Sequence, residues 1–334
     1  MLITVGIFLV GIERTYPYFT FRQFHQLNPP IMIQAKPFPG TSSLKYNVLW
    51  ASCLLLFVFC NSCQQSKTGK INYPQPTPDT TALTYLPGVV SKDKKDFNGV
   101  FTTDGTTFFF SRPDHGKLFI WESKYENDKW TEPAPSPAFD TMYSNADPFI
   151  TAENDIYFIT NRPKNATDTT KDFDIYRMSW QGTKWNAPEY LDEINSDSIE
   201  YYVSVAKNGN MYFSSYREGN LDLYSSVKKD GHYQKPVNMG PNINSAADEH
   251  DPMIAPDESY IIYPSNRPNG LGEADLYISL RKNNVWQPAR NMGSRINTPT
   301  YDYCPALTPD GKYFFFSSEE NVKWISASVL KKYE

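Results

Sequence analysis

Carboxylates and guanidinium groups recur at matching places along this chain. Asp96, Asn145, Glu200, Glu249 and Asp302 each stand two residues ahead of Asn98, Asp147, Tyr202, Asp251 and Cys304. Arg112, Arg162, Arg217 and Arg267 follow at intervals of 50, 55 and 50 residues. Three kinds of chemistry fit such a set. The planar fork of each Arg can pair bidentately with a carboxylate, either the acid that opens the third strand of its repeat (Asp174, Asp222, Asp275) or one from a neighbouring repeat. The groups can instead line a polar pocket for a small polar ligand, a sugar or a peptide end. A hard cation such as Ca²⁺ could be held by several carboxylates, although no spacing here matches a calcium loop. Carboxylates crowded together raise one another's pKa unless Arg or a cation offsets them. The candidate ligand-binding residues are Asp147, Glu200, Glu249, His250, Asp251, Asp302, Arg112, Arg162, Arg217 and Arg267. His250, between Glu249 and Asp251, reads as a surface residue more readily than as a base. Two well-spaced carboxylates would suffice for a glycosidase, but nothing in the spacing singles out a pair.

Other chemistries find little support. There is no Gly-x-Ser-x-Gly elbow, no His-Glu-x-x-His and no Walker loop. The net charge of −5 argues against a nucleic-acid binder, which would carry a basic stripe. The cysteines are Cys53, Cys60, Cys63 and Cys304, too few and too clustered for a disulfide framework or a structural zinc site. No resident cofactor is expected, the calcium reading apart.

These groups must be positioned by short strands. The 334 residues are 15% aromatic and include 26 Pro, a composition of strands and turns rather than long helices. Between Asp248 and Pro299 four strands are expected, at His250–Ala255, Tyr260–Ser265, Asp275–Arg281 and Val285–Met292, each bounded by Pro, Gly, Asn or Asp. The same grammar recurs in FNGVFTTDGTTFFFSRP, NADPFITAENDIYFITNRP, EYYVSVAKNGNMYFSSYREG and DYCPALTPDGKYFFFSS. An aromatic before x-x-Pro recurs as Trp130, Trp185, Tyr233 and Trp286. Four antiparallel strands in about 50 residues, repeated, are a propeller blade. The expected fold is all-β: one β-propeller of five four-stranded blades over residues 83–334. The last unit lacks its outer strand, and Thr84–Ser91 (TYLPGVVS), which resembles Tyr190–Ser196 (YLDEINS), is the candidate to complete it and close the ring. Closure removes free strand edges. In that ring the acids and the Arg markers gather at one channel mouth. Trp121, Tyr143 and Tyr301 could stack on sugars there, or simply pack between blades.

The pattern P-x-x-x-P-D-G-x-x-Y-F-x-S-x-R followed by D-[IL]-Y resembles the TolB-type, WD-repeat-like β-propeller repeat. Pro305–Ser317 and Asp251–Arg267 match it best, and the resemblance covers roughly residues 84–334. The third unit departs, with Val203 at the first Pro and Lys207–Asn208 at Pro–Asp; the first unit has Gly99 there. The resemblance implies a periplasmic protein, often a lipoprotein of the Bacteroidetes kind, that binds or scaffolds more often than it catalyses.

The N-terminus reads as an address. Val48–Cys60 (VLWASCLLLFVFC) is too short for a confident transmembrane helix and suits a signal h-region, with Lys36 and Lys45 before it. Ser62–Cys63 then resembles a lipoprotein cleavage site, which makes Cys63 the lipidated residue and residues 1–62 the leader. Residues 1–31 read as an over-extended start, since Met32 gives a signal of ordinary length, or as an unusually long n-region. Cleavage removes Arg14, Arg22, Lys36 and Lys45 against Glu13 alone, so membrane attachment through charge is not expected. Residues 63–82 (with YPQPTPDTT) read as a Pro-rich tether. The expected protein is thus a non-catalytic envelope lipoprotein, periplasmic or surface-facing on the outer membrane. It binds an envelope protein or a glycan or peptidoglycan ligand at the channel mouth. A carbohydrate-active hydrolase using mouth carboxylates and a structural subunit of an envelope assembly are the alternatives.

Overall fold

The computed structural model describes residues 69–92, 95–170 and 172–333, with the backbone of 14–16 and 19–21. The chain divides into two units, Met1–Gln64 and Gln65–Glu334. In the first, Arg14–Tyr16 pairs antiparallel with Phe19–Phe21. The apolar run Val48–Cys60 and Cys63 lie outside the described residues, and no helix among those described is long and apolar enough to cross a membrane.

The second unit is a five-bladed β-propeller. Blade 1 is built from Phe97–Phe101, Thr107–Asp114, Lys117–Glu126 and Ala134–Pro135. Blade 2 has Asn145–Ile150, Ile156–Thr160, Asp174–Met178 and Glu189–Tyr190. Blade 3 has Glu200–Val205, Met211–Ser215, Asp222–Ser226 and Val237–Asn238. Blade 4 has Met253–Ile254, Tyr260–Ser265, Asp275–Lys282 and Arg290–Asn291. Blade 5 has Tyr303–Leu307, Tyr313–Ser318 and Asn321–Ser326, and its outer strand is Leu83–Thr84 from the start of the unit. Lys323 opposes Thr84 and Trp324 opposes Leu83, so the ring closes through the N-terminal segment, one residue earlier than the sequence expectation.

Two strand expectations are corrected. Val285–Met292 is not continuous: Val285–Trp286 pairs with Arg281 and Lys282, while Arg290–Asn291 pairs with Ile278 and Tyr277. Pro288 lies in the break, where it has no N–H to offer a ladder. His250–Ala255 is likewise split, because Asp251 adopts a left-handed φ of 45°. That kink is part of the repeat. Asn98, Asp147, Tyr202, Asp251 and Cys304 have φ of 50°, 53°, 40°, 45° and 48°. Register shifts bracket this position in blades 1, 2, 3 and 5. Each is a β-bulge that turns the inner strand, at a cost of roughly 1–2 kcal/mol for a non-glycine residue.

Aromatic rings fill the wedges between blades. Tyr85, Phe108, Phe315 and Trp324 are at most 2% exposed and form the joint of blades 5 and 1, with Tyr85–Phe108 and Tyr85–Phe315 centroids 4.5 and 5.1 Å apart. Edge-to-face and tilted pairs of this kind add about 0.5–1.5 kcal/mol each beyond burial. The same joint is strapped by Gly69–Tyr73. Gly69 N–H donates to Thr103 O at 2.9 Å, Tyr73 hydroxyl donates to Asp310 at 2.8 Å, and Trp130 Nε1 donates to Asn72 O at 3.0 Å. A Cβ on Gly69 would lie 2.1 Å from Asp104 O, so only glycine passes there.

Candidate functional site

The inner strands run from one mouth of the channel to the other, and the two mouths differ. At the strand starts, the Arg markers meet carboxylates, but not those expected. Three of the four pair with the acid that opens the inner strand of their own blade. Arg112 Nε lies 2.6 Å from Asp96 Oδ1, Arg217 Nη2 3.1 Å from Glu200 Oε1 and Arg267 Nε 3.1 Å from Glu249 Oε1. Asp222 and Asp275, assigned to Arg from sequence, instead accept from Asn238 and Asn291 on the outer strands, at 2.9 and 2.7 Å. The carboxylates win the nearer Arg because second and inner strands are direct neighbours in the sheet. Each Arg also caps a carbonyl of the preceding outer turn: Val90 O at 3.0 Å, Ile194 O at 2.7 Å, and Ile243 O. Each guanidinium lies over a ring, Trp121 at 4.5 Å, Tyr224 at 4.9 Å and Tyr277 at 5.0 Å. Glu200 accepts from Ser196 and Ser215, and Glu249 from Ser245 and Ser265, so both carboxylates are fully engaged.

Two units break this pattern. In blade 5, Glu320 stands where Arg would be, and Asp302 is held by Thr298 alone among backbone donors; burial pushes its pKa up to about 6. In blade 2 the acid is Asn145, and Arg162 stands over Tyr143 and Tyr176 at 5.3 and 5.9 Å.

On the axis itself the five kinked residues converge. Asn98 Nδ2 donates to Asp147 Oδ1 at 3.3 Å, and Cys304 Sγ lies 4.0 Å from Asp147 Oδ1 and 3.4 Å from Asp251 Oδ2. None of the five is more than 7% exposed. Burial, and next the Asp251 carboxylate, push Asp147 well above the usual carboxylate range. The same two causes raise the Cys304 thiol, which is therefore no nucleophile. Around the axis the blades are latched by serines. The N–H groups of Asn98, Asp147 and Asp251 donate to Ser317, Ser111 and Ser214 of the preceding blade, each at 3.0 Å. Where that blade has Ile159 or Pro264 instead of serine, the next axial residue is Tyr202 or Cys304. His250 is 2% exposed, against the surface position expected for it. Its Nε2 is 2.6 Å from the Tyr301 hydroxyl, its Nδ1 is 3.1 Å from Asp251 Oδ2, and its ring stacks on Tyr301. It is buried because its repeat position is the one held by Phe97, Ala146, Tyr201 and Tyr303, all at most 5% exposed.

The opposite mouth is open. A cavity of about 530 Å³ lies among the hairpins that end the inner strands, and all five blades line it. Its walls include Val100, Phe149, Ile150, Val205, Met253, Leu307, Pro256 and Pro309. Lys207, Lys228 and Glu153 contribute charge, while Asp155 is tied to Arg177 at 2.5 Å and to Trp180 N–H at 2.8 Å. Of the axial residues, Tyr202 alone lines this cavity; its hydroxyl donates to Pro305 O at 2.8 Å, crossing from blade 3 to blade 5. None of the ten residues singled out from sequence lines it. The missed residues are apolar ones directly before each hairpin, such as Ile150, Val205 and Leu307. Their only signal was an apolar residue on the face that the kink turns inward. Among the described residues no group of three or more His, Cys, Asp or Glu is arranged to hold a metal ion.

No family model matches the chain, and no curated protein matches it. Solved structures do. TolB from Acinetobacter baumannii aligns at 11% identity with a TM-score of 0.44, over 71% of this chain and 55% of that one. The putative TolB from Agrobacterium tumefaciens aligns at 15% identity and 0.44, over 71% and 78%. A thermostable family-43 glycoside hydrolase aligns at 11% and 0.46, over 76% and 91%. The likeness is one of propeller architecture. This chain spans about half the length of the Acinetobacter protein, and the neighbours include a hydrolase as well as TolB, so they assign it no activity.

Proposed function

We propose that this chain is a non-catalytic binding module of a bacterial cell envelope, lipid-anchored through Cys63, whose propeller receives a segment of a protein partner in the cavity at the hairpin mouth. The observation that carries this is the contrast in carboxylates. A hydrolase needs two reachable acids. Asp147 and Asp251 are 7% and 2% exposed at the axis, and the cavity offers Glu153 with an Asp155 already spent on Arg177. An apolar-walled cleft with a few polar groups at its edge, about 300–1,000 Å³ in size, is what a binding site requires.

The test is site-specific photo-crosslinking in cells from Ile150. A discrete protein adduct is expected, lost when Leu307→Trp fills the cavity and kept in Glu249→Gln. A glycan adduct in its place would move the reading to a cell-wall ligand. Turnover of a glycan that disappears in Asp147→Asn or Asp251→Asn would overturn it in favour of the hydrolase. The anchor is tested separately: Cys63→Ser is expected to release the chain from the membrane fraction and to abolish acylation.

A further inference from the structure

The joint between blades 1 and 2 lacks a negative charge that its sister joints possess. Asp96, Glu200 and Glu249 neutralise Arg112, Arg217 and Arg267 at 2.6–3.1 Å. In blade 2 the equivalent position is Asn145, and Arg162 makes no ion pair among the described residues. Asn145 is 1% exposed; its Nδ2 is committed to Asp140 O and Tyr143 O at 2.7 and 3.0 Å, and its Oδ1 is buried without a partner. Arg162 Nε is also buried without a partner. Asn145 Oδ1 is an uncharged acceptor and Arg162 Nε–H a donor. Neither can supply the anion that a guanidinium packed against Tyr143 and Tyr176 requires. Arg162 is partly exposed, so an anion can reach it from solvent. Further positive charge stands close by, since Lys117 Nζ donates to Thr141 O and Met142 O in the connector that carries Tyr143, at 3.3 and 2.9 Å.

We propose that this joint is a carboxylate-binding subsite, in which Arg162 presents its fork to a carboxylate of a ligand and Tyr143 forms the wall. The ligand group takes the place that Asp96, Glu200 and Glu249 fill in the other joints. The site lies at the mouth opposite the cavity and does not depend on what the cavity binds.

The experiment uses the full chain and follows the Arg162 Nε–Hε signal by NMR. The probes are glucuronate, with glucose as its uncharged control, and a short peptide with a free C-terminal carboxylate, with its amide as control. A saturable, salt-sensitive shift is expected with at least one acid and with neither control. Response to glucuronate alone identifies a glycan acid as the source, and response to the peptide acid identifies a chain end. Asn145→Asp builds the missing carboxylate into the protein, so it is expected to raise the melting temperature and to weaken probe binding by about tenfold or more. Arg162→Gln is expected to weaken it as far. Absence of a saturable shift with both acids, or undiminished binding in a folded Asn145→Asp, would overturn the proposal.

Discussion

The two mouths of the channel come from the same five repeats and differ in what the repeat spends its side chains on. At the strand starts, blades 1, 3 and 4 bind Arg to acid, blades 3 and 4 bind acid to serine, and three axial N–H groups bind the serine of the preceding blade. At the hairpins, among the described residues, only Tyr202 bridges the axis and a cavity of about 530 Å³ remains. Satisfied buried ion pairs fix geometry and leave little for a ligand. An apolar cleft with unpaired charges at its edge contributes little to the fold and is free to bind. Charge density is therefore a poor guide to function in this molecule, and the joint of blades 1 and 2 is informative because it breaks the rule.

The sharpest way to break this contrast is to remove one partner at the closed mouth. Arg112→Ala leaves Asp96 buried without its guanidinium, and both side chains are at most 6% exposed. A loss of about 3–5 kcal/mol in denaturant unfolding is expected; a loss below about 1 kcal/mol would show the pair to be dispensable. Next comes pH. Asp302 and Asp174 have pKa values raised to about 6 and about 8, chiefly by burial, and Asp147 is raised as well. The folded state thus holds more protons than the unfolded chain, so the stability these carboxyls contribute is full below about pH 4 and is lost as pH rises from there through about 6 and about 8. Asp302→Asn is expected to flatten the part of that decline between about pH 4 and 6, and a stability in the parent that rises over this interval would contradict the account. Ser214→Ala removes the acceptor for Asp251 N–H and is expected to cost about 1–2 kcal/mol, read from the urea midpoint. At the open mouth, Glu153→Ala and Lys207→Ala are expected to stay within about 0.5 kcal/mol of the parent in the same titration.

The blades were legible in the sequence because strand and turn chemistry is local: Pro–Asp and Asn–Gly turns bound runs of Tyr, Phe and Ile, and the Arg markers keep their period. Ring closure was legible because TYLPGVVS repeats the turn that follows Tyr190, and Val90 O indeed caps Arg112 as Ile194 O caps Arg217. The partner of each Arg was not legible, since for Arg217 the acids Asp222 and Glu200 look equivalent in a string and differ only in which strand lies beside the Arg. Nor was the open mouth. Whether a mouth closes depends on the residue before the kink, where Phe97, Tyr201, His250 and Tyr303 are large and buried. The left-handed turn at Asp147 or Cys304 redirects everything after it, and a pattern that assumes strict alternation assigns the following residues to the wrong face. Asp174 shows the same limit: with Tyr190 where blades 3 and 4 carry Asn238 and Asn291, its Oδ1 is left without a donor.

The most direct test of the contrast needs no ligand. Thiol labelling of the folded chain with a small maleimide, followed by peptide mass spectrometry, compares native Cys304 on the axis with Ile150→Cys in the cavity wall. Cys304 is 2% exposed and its thiol is pushed upward by burial, whereas Ile150 is half-buried. The account predicts rapid labelling at position 150 and none at Cys304 until denaturant is added. Labelling of Cys304 in the native state at a comparable rate would mean that the axis is open to solvent, and the division between a closed mouth and a binding mouth would fall.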